Sequence, residues 1–246
     1  MTKGGDMQAT YTKFISAARL TALHCVAIAL STASYAQPAG EVVPITSEPE
    51  HRIRFDNGRV RMYEVKLAKG QTTLWHERRA DSYSIIFRPA EITNEPHGGK
   101  PAILKIPAGA VGFASVEKGP YTHRIGATSD AGFHVIALEV LSAASPSAQG
   151  VAERQGPPFK LVRQSPRGRA YRLTLGPGES TGAFLRPANT AVFAITSGRV
   201  SEHADGKPAR YWDFETGHFR WLDAGETLRL KNEGTAPVDL VEVEIL

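Results

Sequence analysis

Apolar and polar residues alternate through most of the chain after residue 50, which is the pattern of strands buried on one face. The first two alternating runs, 51–55 and 59–67, flank Asp56-Asn57-Gly58. Asn-Gly between two such runs is the strongest short-range signal of a hairpin. Ala204-Asp205-Gly206 separates a second pair of runs. No segment keeps a helical period over the length of a core helix, so the sequence predicts an all-β protein.

The alternating pattern also repeats along the chain. Residues 65–73 (VKLAKGQTT) align with residues 173–181 (LTLGPGEST), 108 positions later. A low-complexity stretch at 142–150 separates the two copies. Sheets of many short strands avoid open edges by closing into barrels or double-sheet jelly rolls. We therefore predict two tandem β-domains, at 37–141 and 159–246, joined by a linker at 142–158.

The first 36 residues do not share the pattern. Lys3, Lys13 and Arg19 precede an apolar run at 20–30, and small residues at Ser34 and Ala36 precede Gln37. This is the pattern of a secretory signal peptide, and eleven apolar residues are too few for a permanent membrane anchor. The alternative is an uncleaved amphipathic helix. We expect cleavage before Gln37 and a periplasmic or secreted product.

Composition excludes several classes of function. The only cysteine, Cys25, lies inside the predicted signal peptide, so the mature chain has neither disulfides nor thiolate chemistry. The net charge of +4 becomes +2 in 37–246, because residues 1–36 hold three of the 29 Lys and Arg and one of the 25 Asp and Glu. We therefore expect no nucleic-acid partner and no membrane partner after cleavage. The sequence contains no Gly-rich phosphate loop and no G-x-S-x-G nucleophile turn.

One set of residues resembles the two-motif signature of the cupin superfamily. The set is Gly70, His76, the acidic Asp81, Pro107-x-Gly109 and His123. With the internal repeat, the chain is similar to a bicupin over roughly residues 50–246. The resemblance implies a pair of small jelly-roll β-barrels. It also implies that the first motif of a metal-binding member supplies two histidines and a glutamate, and the second motif one histidine.

The match to that ligand set is incomplete. His76 and His123 stand where the first and last histidines belong, but Arg78 stands at the second. Ser82 stands near the place of the glutamate, with Asp81 one residue early. The equivalent places in the second half are Phe184, Arg186, Asn189 or Thr190, and Leu228, none of which is a good ligand.

The residues leave two interpretations of the first barrel open. His76, His123 and Asp81 form a candidate site for one divalent metal, Fe, Mn, Zn or Ni, since two histidines and a carboxylate leave open positions for a substrate. Alternatively, the histidines only line the barrel. A guanidinium at Arg78 places a permanent positive charge where the cation would sit.

Arg78 and Arg186 occupy the same place in both halves. A buried guanidinium requires an anionic partner, because an unpaired interior charge is expensive. That partner is either the carboxylate or phosphate of a bound ligand, or an internal glutamate. The candidate glutamates are Glu64, Glu139 and Glu242. Tyr121 is the further candidate ligand contact in the first barrel.

We therefore predict an exported module that binds a small, anionic molecule in the first barrel. The alternative function is a metal-dependent cupin enzyme, of the dioxygenase or isomerase type, that uses His76 and His123. A purely structural pair of barrels is the third interpretation. The resemblance also suggests a homodimer formed through sheet edges.

Overall fold

The computed structural model describes residues 40–142, 153–154 and 158–246. Apart from one short 3-10 helix, Ile45–Ser47, the regular structure of these residues is β-strand, which confirms the all-β prediction. None of the described helices has the length and apolar character needed to cross a membrane. The predicted signal peptide and most of the predicted linker lie outside the described residues.

Ten strands lie in the first half of the chain. They are β1 Val42–Pro44, β2 Arg52–Asp56, β3 Val60–Leu67, β4 Trp75–Arg78, β5 Asp81–Ile86, β6 Ala90–Pro96, β7 Ala102–Ile106, β8 Val111–Ala114, β9 Tyr121–Ala127 and β10 Phe133–Val140. They form two five-stranded sheets, with the orders β1-β4-β9-β6-β7 and β2-β3-β10-β5-β8. Apolar residues from both sheets, such as Val65 of β3 and Ile92 of β6, share one core cluster, so the sheets pack as a barrel of the jelly-roll type.

Nine strands lie in the second half. They are β11 Phe159–Ser165, β12 Gly168–Leu175, β13 Phe184–Leu185, β14 Thr190–Ala194, β15 Gly198–His203, β16 Arg210–Phe214, β17 Phe219–Leu222, β18 Thr227–Asn232 and β19 Val238–Ile245. The sheet orders are β11-β12-β19-β14-β17 and β13-β18-β15-β16. These orders repeat those of the first half strand for strand, except that β1 has no equivalent. The predicted fold class, two tandem jelly-roll barrels, is confirmed.

Both predicted hairpins form. Strand β2 pairs with β3, and β15 pairs with β16. In the first turn Gly58 has φ +76°, a left-handed conformation that glycine adopts without steric cost. The Asn57 side chain accepts hydrogen bonds from the amides of Arg59 and Val60, both at 3.0 Å. The turn chemistry of the sequence therefore fixes the register of this hairpin.

The largest apolar core lies between the two barrels. It combines residues of β3, β5 and β10 with residues of β12, β14 and β19, among them Leu138 and Val243, which are both fully buried. Strands β10 and β19 are therefore covered on both faces. One face lies on this shared core, and the other faces the interior of its own barrel. The alternate residues of these two central strands consequently decide which side chains line each barrel.

Candidate functional sites in the two barrels

Four of the predicted site residues meet inside the first barrel. His76 of β4 is the register partner of His123 of β9, and Arg78 is the partner of Tyr121. Register partners in an antiparallel pair project from the same face. His76, Arg78 and His123 are at most 5% exposed, and the ring centroids of the two histidines are 4.5 Å apart. The two motifs of the first half therefore bring their side chains together in one polar cluster inside the first barrel.

A third histidine, His51, extends this cluster, although the sequence analysis gave it no role. Its ring centroid lies 4.5 Å from that of His76, and its Nδ1 pairs with the carboxylate of Glu48. The other oxygen of Glu48 accepts the Leu74 amide at 3.0 Å. One carboxylate thus holds both the His51 ring and the segment before β4. The spacing Glu48-x-x-His51 was the only sequence signal for this pair.

The hydrogen bonds of His123 show which of its two ring nitrogens carries the proton. Its Nε2 lies 3.2 Å from Nε of Arg78, which can only donate. Its Nδ1 lies 2.8 Å from Oδ1 of Asn94 and 2.7 Å from the hydroxyl oxygen of Tyr121. Because Nε2 accepts, Nδ1 carries the proton of a neutral ring. Burial, together with the charge of Arg78, lowers the pKa of His123 to about 2.

His76 is neutral for the same reason. Burial is the main cause that lowers its pKa to about 3, and the charges of His51 and Arg78 add to it. Its Nδ1 donates to the Leu74 carbonyl at 2.9 Å, while its Nε2 has no partner among the described residues. Arg78 also donates from Nη1 to the hydroxyl of Ser82 at 3.2 Å. The hydrogen bonds of the buried guanidinium thus go to neutral acceptors.

This arrangement does not fit a divalent metal. Asp81 begins β5 in the opposite sheet, where its two oxygens accept the Val116 amide at 2.8 Å and Nε of Arg167 at 3.3 Å. A metal at His123 Nε2 would compete with the N–H of Arg78 for the same lone pair. The described residues contain no group of three His, Cys, Asp or Glu side chains placed to hold a metal. We therefore derive no chemistry through a metal.

A space of about 260 Å³ lies beside the 3-10 helix and reaches Glu139, but His76, Arg78 and His123 do not line it. Glu139 is 2% exposed, and burial raises the pKa of its carboxyl. Two of the predicted glutamate partners, Glu139 and Glu64, lie in the first barrel, and neither forms an ion pair with Arg78. Glu139 interacts with Arg78 only through its charge, and Glu64 instead pairs with Arg54, Lys66 and His134.

The second barrel repeats the geometry with different side chains. Phe184 is the register partner of Leu228, as His76 is of His123. Arg186 is the counterpart of Arg78 and is 1% exposed. Neither its Nε nor its Nη2 has a hydrogen-bond acceptor within the described structure. Its carboxylate neighbour is Glu242, at 3.9 Å between Nη2 and Oε1.

Arg186 lines a cavity of about 680 Å³, which lies within the usual size range of ligand sites. The lining holds four basic and three acidic residues. The basic residues are Arg186, Lys207, Arg210 and Arg220, and the acidic ones are Asp205, Asp223 and Glu226.

All the basic residues of this lining except Arg186 have carboxylate partners at hydrogen-bond distance. Lys207 and Arg210 both bond to Glu226, and these bonds lower the pKa of Glu226 to about 2. Arg210 and Arg220 bond to Glu202 at 3.1 and 3.4 Å. Among the basic residues of this lining, Arg186 is therefore the buried one whose Nε and Nη2 donors have no acceptor in the described part of the chain.

Comparison with known proteins shows the fold alone. No protein-family model matches the sequence, and no curated protein matches it significantly. Among solved structures, AerE from Microcystis aeruginosa superposes with a TM-score of 0.56 at 13% identity, over 81% of this chain and 98% of that one. Oxalate decarboxylase from Bacillus subtilis, a structure described with Mn(II) centres, superposes at 0.50 and 12% identity, over 76% and 68%. A cupin 2 conserved barrel domain protein from Leptotrichia buccalis gives 0.48 at 17% identity, over 79% and 87%.

Proposed function

We propose that the chain is a cupin-type protein that binds a small anionic molecule, and that the binding cavity is in the second barrel. One observation carries the proposal: Arg186 is buried, lines the cavity of about 680 Å³ and has N–H groups at Nε and Nη2 without acceptors. A guanidinium presents its donors as a planar fork that fits a carboxylate or a phosphate. The ligand class is therefore a small carboxylate or phosphate compound.

The contrast between the two arginines supports this location. Arg78 has two hydrogen-bond acceptors, His123 and Ser82, and is not among the residues that line the space of about 260 Å³. Arg186 lines the cavity of about 680 Å³, and its Nε and Nη2 have no acceptors among the described residues. In the second barrel the places of His76 and His123 are taken by Phe184 and Leu228, whose side chains have no nitrogen or oxygen to accept a hydrogen bond from a guanidinium. The sequence analysis placed the cavity in the first barrel, so the proposal moves it to the second.

Calorimetric titration with a panel of anions tests the proposal. The probes are inorganic phosphate, acetate, succinate and citrate, each at matched ionic strength so that general screening is constant. We expect saturable binding of at least one probe by the wild type. Arg186→Lys should weaken it about tenfold or more, because a single ammonium replaces the fork but keeps the charge.

Arg78→Lys is the matched control, because Arg78 holds the equivalent place in the first barrel. It should leave the affinity of the wild type unchanged. The proposal fails if no probe binds saturably, or if Arg186→Lys binds as tightly as the wild type. Equal weakening by both variants would also contradict it, because the effect would then follow overall charge or stability.

A metal-dependent enzyme, the alternative function, is not part of this proposal. Two observations argue against it: Arg78 donates a hydrogen bond to His123 Nε2, and both oxygens of Asp81 already accept hydrogen bonds. The similarity to a Mn-containing decarboxylase is one of fold. Metal analysis of the purified chain tests this separately. One equivalent of Fe, Mn, Zn or Ni, lost in a His76→Ala, His123→Ala variant, would restore the enzyme interpretation.

Export belongs to the proposal on the strength of the sequence pattern at 1–36. Sequencing of the N-terminus from an expressing Gram-negative cell should give a chain that begins at Gln37 in the periplasmic fraction. A chain that keeps residues 1–36 in the cytoplasm would contradict export without affecting the ligand site. The homodimer stays a prediction that size-exclusion chromatography with light scattering can check.

A further inference from the structure

A guanidinium from outside the strands lies in the interior of the second barrel. Arg154 falls in the segment between β10 and β11, within the range predicted as a linker. Its side chain is nevertheless only 5% exposed. Its backbone amide donates to the Tyr171 hydroxyl at 3.2 Å. Arg154 therefore enters the barrel as an added group rather than as part of its wall.

Two buried carboxylates receive this guanidinium. Arg154 donates from Nε to Oε1 of Glu244 at 2.6 Å and from Nη1 to Oε2 of Glu242. The two glutamates are alternate residues of β19, so their side chains project to the same face, and both side chains are fully buried. Burial alone would lower the pKa of Arg154, but the charges of Glu242 and Glu244 outweigh it and hold that pKa above its usual value.

Three aromatic rings surround the same group. The Arg154 Cζ lies 5.0 Å from the ring centroid of Phe159, 5.1 Å from that of Tyr171 and 5.2 Å from that of Phe184. A cation within about 6 Å of an aromatic face is attracted by the ring quadrupole. Each ring belongs to a strand of the second barrel, β11, β12 or β13. The barrel wall by itself thus supplies a cage of three rings and two carboxylates.

We propose that this cage is a binding site for a monosubstituted guanidinium, and that Arg154 is its tethered ligand. The carboxylates take the N–H edge and the rings take the flat face, so the site suits a planar delocalised cation better than an ammonium. A free guanidino compound enters the site when Arg154 is removed. The inference does not rest on the proposed anion site, which uses Arg186 and the cavity of about 680 Å³, although Glu242 neighbours both arginines.

Chemical rescue of Arg154→Ala in the full chain tests the inference. The probe is methylguanidinium at millimolar concentrations, far below those that denature. Calorimetric titration should give saturable binding to the variant with a Kd of about 1 mM, together with a saturable rise in Tm. Methylammonium should bind about tenfold or more weakly, because it offers a point charge in place of a fork.

Two controls isolate the cage. The wild type should show no saturable binding, since Arg154 fills the site. Arg154→Ala combined with Glu244→Gln should lose the binding, since one of the two carboxylates is gone. Equal binding by the wild type and Arg154→Ala, or no saturable binding by Arg154→Ala, would overturn the inference.

A folding defect does not remove the test. If Arg154→Ala is insoluble, expression and refolding with methylguanidinium should recover folded protein, while methylammonium should not. Arg154→Lys, which keeps a cation on the tether, should fold without any addition. Recovery with neither probe, beside a folded Arg154→Lys, would show that the residue acts only as a fixed part of the chain.

Discussion

The two barrels carry polar residues at equivalent places, but these residues have different hydrogen-bond and ion-pair partners in each barrel. In the first barrel β3 and β10 pair Tyr63 with Ala137 and Arg61 with Glu139. In the second barrel β12 and β19 pair Tyr171 with Glu242 and Arg169 with Glu244. Arg78 and Arg186 are a further pair of equivalent residues. The repeat has therefore kept a tyrosine, two arginines and a glutamate at equivalent places in each barrel, although Arg61 is part-exposed and pairs with Asp56.

The barrels differ in the groups that surround the buried arginine. The first barrel uses neutral rings and a hydroxyl around Arg78, and an alanine stands where the second has Glu242. The second barrel replaces the histidines by Phe184 and Leu228, adds the carboxylate of Glu242 and admits Arg154. Neutral acceptors take the hydrogen bonds of Arg78, and Glu139 interacts with it only through its charge. The second interior holds charges that must be paired, and Nε and Nη2 of Arg186 have no hydrogen-bond acceptor among the described residues.

The largest expected effect is the loss of the added carboxylate. Glu242→Ala gives the second barrel the residue of the first and leaves Arg154 and Arg186 without it. We expect a loss of about 3–5 kcal/mol in the free energy of unfolding, the usual result of breaking a buried ion pair from one side.

Denaturant unfolding measures this loss, with Arg199→Ala as the control. Arg199 pairs with Asp213 on the surface, where their side chains are 50% and 72% exposed. Such pairs contribute about 0–1 kcal/mol. A loss for Glu242→Ala no larger than that of the control would show that Glu242 does not hold the charges of the second barrel together.

The second effect is the pH dependence that the neutral histidines confer on the first barrel. In the unfolded chain a histidine takes up a proton near pH 6.5, whereas the pKa values of folded His76 and His123 are about 3 and about 2. Below pH 6.5 the unfolded state therefore binds more protons, so stability falls as the pH falls. Each histidine contributes a slope of about 1.4 kcal/mol per pH unit.

Unfolding free energies at about pH 7 and about pH 5 check this slope. The double variant His76→Phe, His123→Leu carries the residues of the second barrel, and its stability should fall less than that of the wild type. Equal slopes in the two proteins would show that the histidines are not neutral in the folded state.

The third effect comes from removing the acceptor of Arg78. His123→Leu copies Leu228 and leaves Nε of Arg78 and Oδ1 of Asn94 without their ring partner. We expect a loss of about 1–3 kcal/mol, the desolvation cost of buried groups without partners. Thermal or denaturant unfolding measures it, and a neutral result would mean that other acceptors replace the ring.

The smallest effect is expected at the neighbouring ring. His76→Phe copies Phe184 and removes the buried Nε2 that has no partner in the described structure, at the expense of one bond to the Leu74 carbonyl. These two changes oppose each other, so the free energy of unfolding should change by less than about 1 kcal/mol. A loss as large as that of His123→Leu would show that Nε2 has a partner essential to the fold.

Local chemistry made the strands and turns predictable. The Asn57-Gly58 turn and the alternation of β3 act through neighbouring residues, and the hairpin and the all-β fold predicted from such signals are confirmed. The offset between residues 65–73 and 173–181 predicted the repeated order of the strands. The same alternation put His76 and Arg78 on one strand face and His123 on another, and the structure turns both faces inward. Sequence reasoning did not reach His51 or Arg154. His51 aligns with Phe159 at the offset of 108, but its partner Glu48 lies before the repeat, and Arg154 falls between the two barrels. Nor did it show that Asp81 points its oxygens to Val116 and Arg167.

The sequence by itself determined the all-β architecture, its duplication and the pairs of equivalent positions, because the period of two and the turn residues act over a few positions of the chain. The tertiary structure decided which buried groups meet. The two halves pack through β10 and β19, and this packing turns Glu242 and Glu244 inward to meet an arginine from between the barrels. Partners so distant in sequence leave no periodic signal, yet they determine the protonation state and the ion pairs of the buried groups in each barrel.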